Sequence, residues 1–226
     1  MSALDLLRAT ESRGYMLSTG DDLLDNTLGG GALVHGITEV SGEARAGKTQ
    51  LCLTLALQCH LERKHGGLAS PAIYLCCGEG QFPDRRLEQL AAAYASKWEE
   101  TASTDNTGRG MSQRDFMSNV LVETVHHTEQ ALEMFGKQIP DLCRQHGVRL
   151  LILDSLAGLA RTEFDSSTRE DMKVRTTTLF NIATKLKWLA DTFGLVVVVV
   201  NQVTAGGFED GVGSDGQPMP IPALGL

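Results

Sequence analysis

Gly42-Glu43-Ala44-Arg45-Ala46-Gly47-Lys48-Thr49 decides the fold of this 226-residue chain. The pattern Gly-x-x-x-x-Gly-Lys-Thr follows an alternating apolar run, Ile37-Thr38-Glu39-Val40, and leads into the stretch Gln50 to Leu57. Strand, glycine turn and helix in that order form a phosphate-binding loop. The glycines let successive backbone N–H groups curl around a β-phosphate, and the helix that follows aims its positive dipole end at the same anion. Lys48 is placed to reach the β- and γ-phosphates, and the Thr49 hydroxyl to ligate Mg²⁺. A glycine-rich turn with a stray lysine is the competing reading, and the flanking strand and helix argue against it. The chain is predicted to bind a nucleoside triphosphate.

Three further runs end in polar residues that would complete such a site. Arg149-Leu150-Leu151-Ile152-Leu153-Asp154-Ser155 has the continuous apolar character of a buried parallel strand. A carboxylate at that strand's C-terminal end, Asp154, can hold Mg²⁺ through water beside the phosphate loop. Ala72-Ile73-Tyr74-Leu75-Cys76-Cys77 leads into Gly78-Glu79-Gly80, so Glu79 is the candidate general base that orients an attacking water. Leu195 to Val200 is β-branched and too short to span a membrane; it ends in Asn201-Gln202, where the Gln202 amide can sense the γ-phosphate. The competing reading for each is a polar residue that merely closes a core strand.

Bulk properties restrict the rest. The length fits one α/β domain with a sizeable core. No apolar run is long enough for a spanning helix and the N-terminus lacks a signal core, so no membrane association is expected. The five cysteines (Cys52, Cys59, Cys76, Cys77 and Cys143) are an odd number without paired zinc-site spacing, and read as buried free thiols in a reducing compartment. His126-His127 reads as a surface pair. The formal net charge is −8. A protein that grips DNA over a broad surface carries a basic face, so any DNA contact here must be local or supplied by a partner.

Periodicity divides the chain into a lead segment, 1–14, with Ala3, Leu4 and Leu7 at helical spacing, and a core, 15–226. A short helix within 15–31 closes on Gly29-Gly30-Gly31. The phosphate-loop helix is expected to run to about Arg63. Helices are expected over Arg85 to Lys97, Glu129 to His146 and Asp171 to Phe193, and a strand over Val120 to Glu123. Residues 99–114 lack periodicity and read as a flexible surface loop. The alternation predicts an α/β fold with a mainly parallel central sheet flanked by helices. Two segments beyond strand ends, Ala160 to Glu170 and Thr204 to Pro220, are candidate ligand loops. The second is glycine-rich and holds Glu209, Asp210 and Asp215 without any Lys or Arg.

Together these residues resemble the ATPase core of the RecA-family recombinases, in their eukaryotic and archaeal branch. The resemblance rests on Gly42 to Gln50, on Glu79-x-x-Phe82 with Arg86-Leu87, on Leu150 to Ser155 and on Asn201-Gln202-Val203-Thr204, and spans about residues 15–226. His65-Gly66-Gly67-Leu68, Phe82-Pro83 before Arg85 to Leu90, Thr162 to Ser166 and Pro222-Ala223-Leu224-Gly225 resemble the repair paralogues of that family more than its strand-exchange enzyme. The resemblance implies ATP and Mg²⁺ as cofactors, with Gly42, Glu43, Ala44, Arg45, Ala46, Gly47, Lys48, Thr49, Gln50 and Arg86 at the nucleotide, Arg86 lying against the adenine. It implies Glu79, Lys48 and Gln202 as catalytic residues, Thr49 and Asp154 at the metal, and DNA contacts through Arg161 and Arg169. Cys76-Cys77-Gly78-Glu79 is one residue longer than the family spacing. The family's N-terminal helical domain, its Phe-x-x-Ala docking motif and its later sheet strands are not found, which implies a chain truncated at both ends.

The implied function is an ATP-binding DNA-repair protein of homologous recombination, in the nucleus with the cytoplasm as a second location, working as a subunit beside another recombinase paralogue on single-stranded or branched DNA, with a DNA-dependent ATPase activity that is weak in the lone subunit. The alternatives are an active filament-forming strand-exchange recombinase and a RecA-like regulatory ATPase without a DNA role. The absence of basic residues from Thr204 to Pro220 argues against the filament former, because phosphate contacts supply most non-specific DNA affinity.

Overall fold

The computed structural model describes residues 15–105, 110–164, 169–205 and 220–222, with the backbone alone at 100–105, 160–162, 203–205 and 220–222. The lead segment, 1–14, lies outside the described residues. Two short strands, β1 (Met16–Leu17) and β2 (Ala32–Leu33), pair antiparallel on either side of α1 (Asp22–Leu28). Asp21 caps α1 by accepting from the Leu24 N–H, and Gly29 closes it in the left-handed region, as the glycine run predicts.

The core is a parallel sheet of β3 (Gly36–Gly42), β4 (Ala72–Cys77), β5 (Val120–Val125), β6 (Leu150–Asp154) and β7 (Val196–Ala205), in the order β3-β7-β6-β4-β5. The predicted α/β class is the one observed. β4 and β6 are covered on both faces, which is why they read as unbroken apolar runs. Alternation along each strand then sorts its side chains between two apolar layers. Tyr74, Ile152 and Val198 pack under α2 (Lys48–Gln58), α3 (Asp84–Asp105) and α4 (Gln113–Ser118). Ile73, Leu75, Leu151 and Val197 pack under α5 (Thr128–Gly136), α6 (Gln138–His146), α7 (Leu156–Glu163) and α8 (Arg169–Phe193).

Several boundaries differ from the sequence expectation, each for a physical reason. Helix α2 stops at Gln58, short of Arg63, and residues Arg63–His65 form a separate 3₁₀ turn. The chain folds back there: the Leu68 and Ser70 N–H groups donate to the Cys59 carbonyl, and a Cβ on Gly67 would lie 2.0 Å from the Leu61 carbonyl oxygen. The expected loop over 99–114 is largely helical, with α3 running to Asp105 and Ser112 and Asp115 forming a capping box at α4. Glu99, Glu100 and Ala102 favour helix, and no glycine or proline interrupts the chain before Gly108, so the helix meets no breaker although it has no apolar stripe there. The helix expected over 129–146 breaks at Lys137, because a proline at 140 lacks its N–H and crowds the carbonyl of residue 136; Pro140 instead falls in the first turn of α6.

Both candidate loops shrink. The segment 160–170 is helical at its two ends, in α7 and α8, and 165–168 lie outside the described residues. Strand β7 runs on to Ala205 and pairs antiparallel with β8 (Pro220–Pro222), Thr204 opposite Ile221. Residues 206–219, with Glu209, Asp210 and Asp215, lie outside the described residues.

Candidate nucleotide site

From β4 the chain proceeds to β5 on one side of the sheet, and from β6 to β7 on the other. The crevice at the C-terminal ends of β4 and β6 is therefore the switch point where open α/β sheets bind ligands. A cleft of about 470 Å³ opens there, with Thr49, Tyr74, Cys76, Glu79 and Asp154 on its walls.

The phosphate loop borders this cleft. Gly47, at φ +93°, starts α2 without a side-chain cap, a conformation that glycine adopts at little cost and that leaves the first N–H groups of the helix for an anion. The Lys48 ammonium donates to the carbonyls of Gly42 at 2.8 Å and Glu43 at 2.6 Å, folded across its own loop. Those acceptors are neutral, and an anionic phosphate oxygen is the stronger partner for an ammonium. Backbone amides, a helix N-terminus and a held cation are the donor set a polyphosphate requires.

The metal half is joined directly to the loop. Thr49 Oγ1 donates to Asp154 Oδ2 at 2.7 Å, and the Tyr74 hydroxyl donates to the same oxygen at 2.6 Å. With its proton on Asp154, the Thr49 hydroxyl keeps its lone pairs for a cation. Among the described residues no three His, Cys, Asp or Glu side chains converge on a metal position. One hydroxyl and one carboxylate fit magnesium, which keeps several waters and takes phosphate oxygens in preference to a full protein cage. Burial, then the Asp154 charge, pushes the Tyr74 hydroxyl far above the ordinary phenol value, so it stays a donor. The same two causes raise Cys76 to about 11, so the thiol on the cleft wall is not a thiolate at neutral pH. All five cysteines are free and buried, as expected.

Glu79 follows β4 in an exposed turn on the cleft wall facing Asp154. Gly78 makes that turn at φ +79°, and a Cβ there would lie 3.0 Å from the backbone of Gly158 in α7. The contact of these two glycine backbones brings the turns after β4 and β6 together. Gln202 is in register with Gly42, the first glycine of the loop. Its neighbour Asn201 is fully buried, donates to Glu39 Oε1 at 2.9 Å and accepts the Gln202 N–H at 2.9 Å. Arg86 Nε donates to Gln50 Oε1 at 2.7 Å, which sets two predicted nucleotide residues together at the start of α2.

The structure thus gathers Lys48, Thr49, Asp154 and Glu79 at one crevice, with Gln202, Gln50 and Arg86 on its borders. The predicted DNA residues lie on the two helices that follow β6. Arg169 is exposed at the first residue of α8, and Arg161 falls on α7 with its side chain outside the described residues. Two residues escaped sequence reasoning. Tyr74 carries the one hydroxyl among the aliphatic residues and thiols of β4, a signal that period-2 alternation would have placed on the face of Cys76. Glu163 of α7 accepts from the Thr128 N–H at 2.7 Å and from its hydroxyl at 2.5 Å, and His127 Nδ1 lies 3.2 Å from it, so the exposed histidine pair is anchored at one member.

A family model described as Rad51 matches residues 11–220. The DNA repair protein XRCC3 of Bos taurus is 35% identical over 228 residues, which covers 100% of this chain and 64% of that protein. The DNA repair protein XRCC3 homolog of Arabidopsis thaliana is 36% identical over 191 residues, covering 83% of this chain and 60% of its own length. The DNA repair protein RAD51 homolog 1 of Arabidopsis thaliana is 33% identical over 199 residues, covering 88% and 53%. The chain spans less than two thirds of the length of these curated relatives.

Proposed function

This chain belongs to the Rad51 family, and from that membership we propose that it is an ATP-binding, Mg²⁺-dependent ATPase of homologous recombination, a nuclear DNA-repair subunit that works beside another recombinase paralogue on DNA. The observation that carries the reading is the hydrogen bond from Thr49 to Asp154, 105 residues apart, at the switch point beside Lys48. The bond ties the first turn of α2, which follows the phosphate loop, to the C-terminal end of β6.

In this reading the loop amides and Lys48 hold the phosphates, and Arg86 with Gln50 lies at the base. Magnesium, held by Thr49 and Asp154, would neutralise phosphate charge. Glu79 accepts the proton of the attacking water, and Gln202, beside Gly42, reports on the terminal phosphate. No arginine lines the cleft among the described residues. An arginine finger supplied by a neighbouring subunit is a common way to stabilise a transferring phosphoryl group, and it accords with a hetero-oligomer that has weak activity in the lone chain. The chain's net charge of −8 supports a local DNA contact, through Arg161 and Arg169, in place of a broad basic face.

The test is ATP binding by calorimetry, with and without Mg²⁺, followed by hydrolysis with single-stranded DNA and a partner paralogue. Glu79→Gln keeps the side-chain volume but cannot accept a proton. It should retain ATP while slowing hydrolysis by about 10²–10⁴-fold, the usual range for a general base. Unchanged hydrolysis in the assembled complex would place the base elsewhere.

A further inference from the structure

The carboxylate proposed to serve the metal has two donors, and the nucleotide reading uses one of them. Thr49 reaches Asp154 Oδ2 from the phosphate loop, and Tyr74 reaches the same atom from β4. No hydrogen bond goes to Asp154 Oδ1 among the described residues. Tyr74 is almost wholly enclosed, at 1% exposure, and its ring is fixed edge-on against Phe82 at 5.1 Å between centroids. Strand register sets the distance: Cys76 pairs with Asp154, so Tyr74 lies one pleat back on the same face and its long phenol spans that step.

From this geometry we propose that Tyr74 is a positioning residue for the magnesium-bearing carboxylate: its hydroxyl holds Asp154 Oδ2 in place so that Oδ1 faces the cleft for the waters of the ion. The inference rests on the nucleotide reading above and adds a role that the phosphate loop does not supply. A buried phenol on a strand is a rigid donor, since its ring has two torsions and both are fixed by packing. A short bond from a neutral hydroxyl to a carboxylate is charge-assisted and directional. Thr49 alone cannot serve in this way, because its hydroxyl must also face the cation and therefore shares in any movement of the loop. Partners behind a metal-binding side chain fix its orientation, and their loss typically weakens metal affinity by about 10–100-fold.

Tyr74→Phe removes one oxygen and keeps the ring, its volume and its contact with Phe82. In the full chain, ATP affinity is measured in EDTA and then across a Mg²⁺ titration, with a Tm for each variant. The expected result is an ATP affinity in EDTA within about twofold of the parent and a Mg²⁺ midpoint raised about tenfold. Asp154→Asn is the second variant, alone and combined with Tyr74→Phe. If Tyr74 acts through Asp154, the double variant has the same Mg²⁺ midpoint as Asp154→Asn alone, because coupled residues are not additive. A purely structural role lowers the Tm and leaves the midpoint unmoved, and that result overturns the proposal. A midpoint shift that adds in full to that of Asp154→Asn overturns it too. If the parent chain shows no Mg²⁺-dependent ATP binding, the nucleotide reading falls and takes this inference with it; a normal parent with an unmoved Tyr74→Phe midpoint removes the role of Tyr74 alone.

Discussion

The two faces of the sheet are built from the same kind of apolar layer yet are tied down in different ways. Under α2, α3 and α4 the layer ends in polar atoms that converge: Lys48 on its own loop, and Thr49 and Tyr74 on Asp154. Under α5 to α8 the layer is nearly all hydrocarbon, and the polar tie at its upper end is the Glu163 carboxylate of α7 gripping the start of α5. One face gathers its polar side chains at the mouth of the cleft, and the other uses a carboxylate to hold the start of a helix. Ligand affinity and fold stability should therefore separate cleanly when each face is cut.

The largest effect belongs to the apolar face. Phe135 is fully buried in α5, and Phe135→Ala leaves a cavity that costs about 3–5 kcal/mol. Thermal unfolding should drop by roughly 10 °C at two to four degrees per kcal/mol for a chain of this size. ATP affinity, measured where the variant is still folded, should be unchanged, and a parallel loss of affinity would mean that the faces are coupled. Lys48→Ala is the mirror experiment. Removing the ammonium leaves phosphate charge uncompensated and costs about 2–4 kcal/mol of ATP binding. The melting temperature without nucleotide should stay put, since Lys48 bonds to two backbone carbonyls at the surface end of β3, one half-buried and one exposed.

Glu163→Ala sharpens the contrast at smaller scale. It strips the Thr128 N–H and hydroxyl of their acceptor at the start of α5, a loss of about 1–3 kcal/mol. Hydrogen exchange should quicken in α7 and at the first turn of α5, and leave α2 as protected as before. Equal quickening in α2 would show that the Glu163 tie steadies the whole molecule and not one face.

The same contrast explains how far the sequence could be read. Gly42 to Thr49 work as neighbours in the chain, so their chemistry is visible as a motif, and Asp154, Glu79 and Gln202 each close an apolar run that marks a buried strand. The sheet followed from those runs. What failed was set by steric or distant effects that leave no apolar pattern. The break at Lys137 comes from the ring of Pro140 against the preceding turn, and α3 continues past Glu99 through a stretch that holds no glycine or proline. Tyr74 was invisible as a site residue because its partner is fixed by the register of β4 on β6, which no local stretch of residues records. Glu163 was missed in the same way, its contact with Thr128 spanning 35 residues.

The smallest effect concerns DNA, where neither face supplies a large cationic surface. The chain carries a net charge of −8, and Thr204 to Pro220 holds three carboxylates and no cation. The segment from Ala160 and its continuation into α8 offer four cations, Arg161, Arg169, Lys173 and Arg175. Each phosphate neutralised on a single strand contributes about 0.7 to the fall of log affinity with log salt, so four contacts give a slope of about −3 at most. Arg161→Ala combined with Arg169→Ala should remove about half of that slope or more, and ATP affinity should not change. Neutral replacements of Glu209, Asp210 and Asp215 should strengthen DNA binding, because three charges that repel phosphate are gone. The measurement is a salt titration of the chain on a labelled single strand. A slope much steeper than −3 would require a basic surface that these four residues do not supply, and the strand-exchange alternative would then account better for the chain than an assembly subunit does.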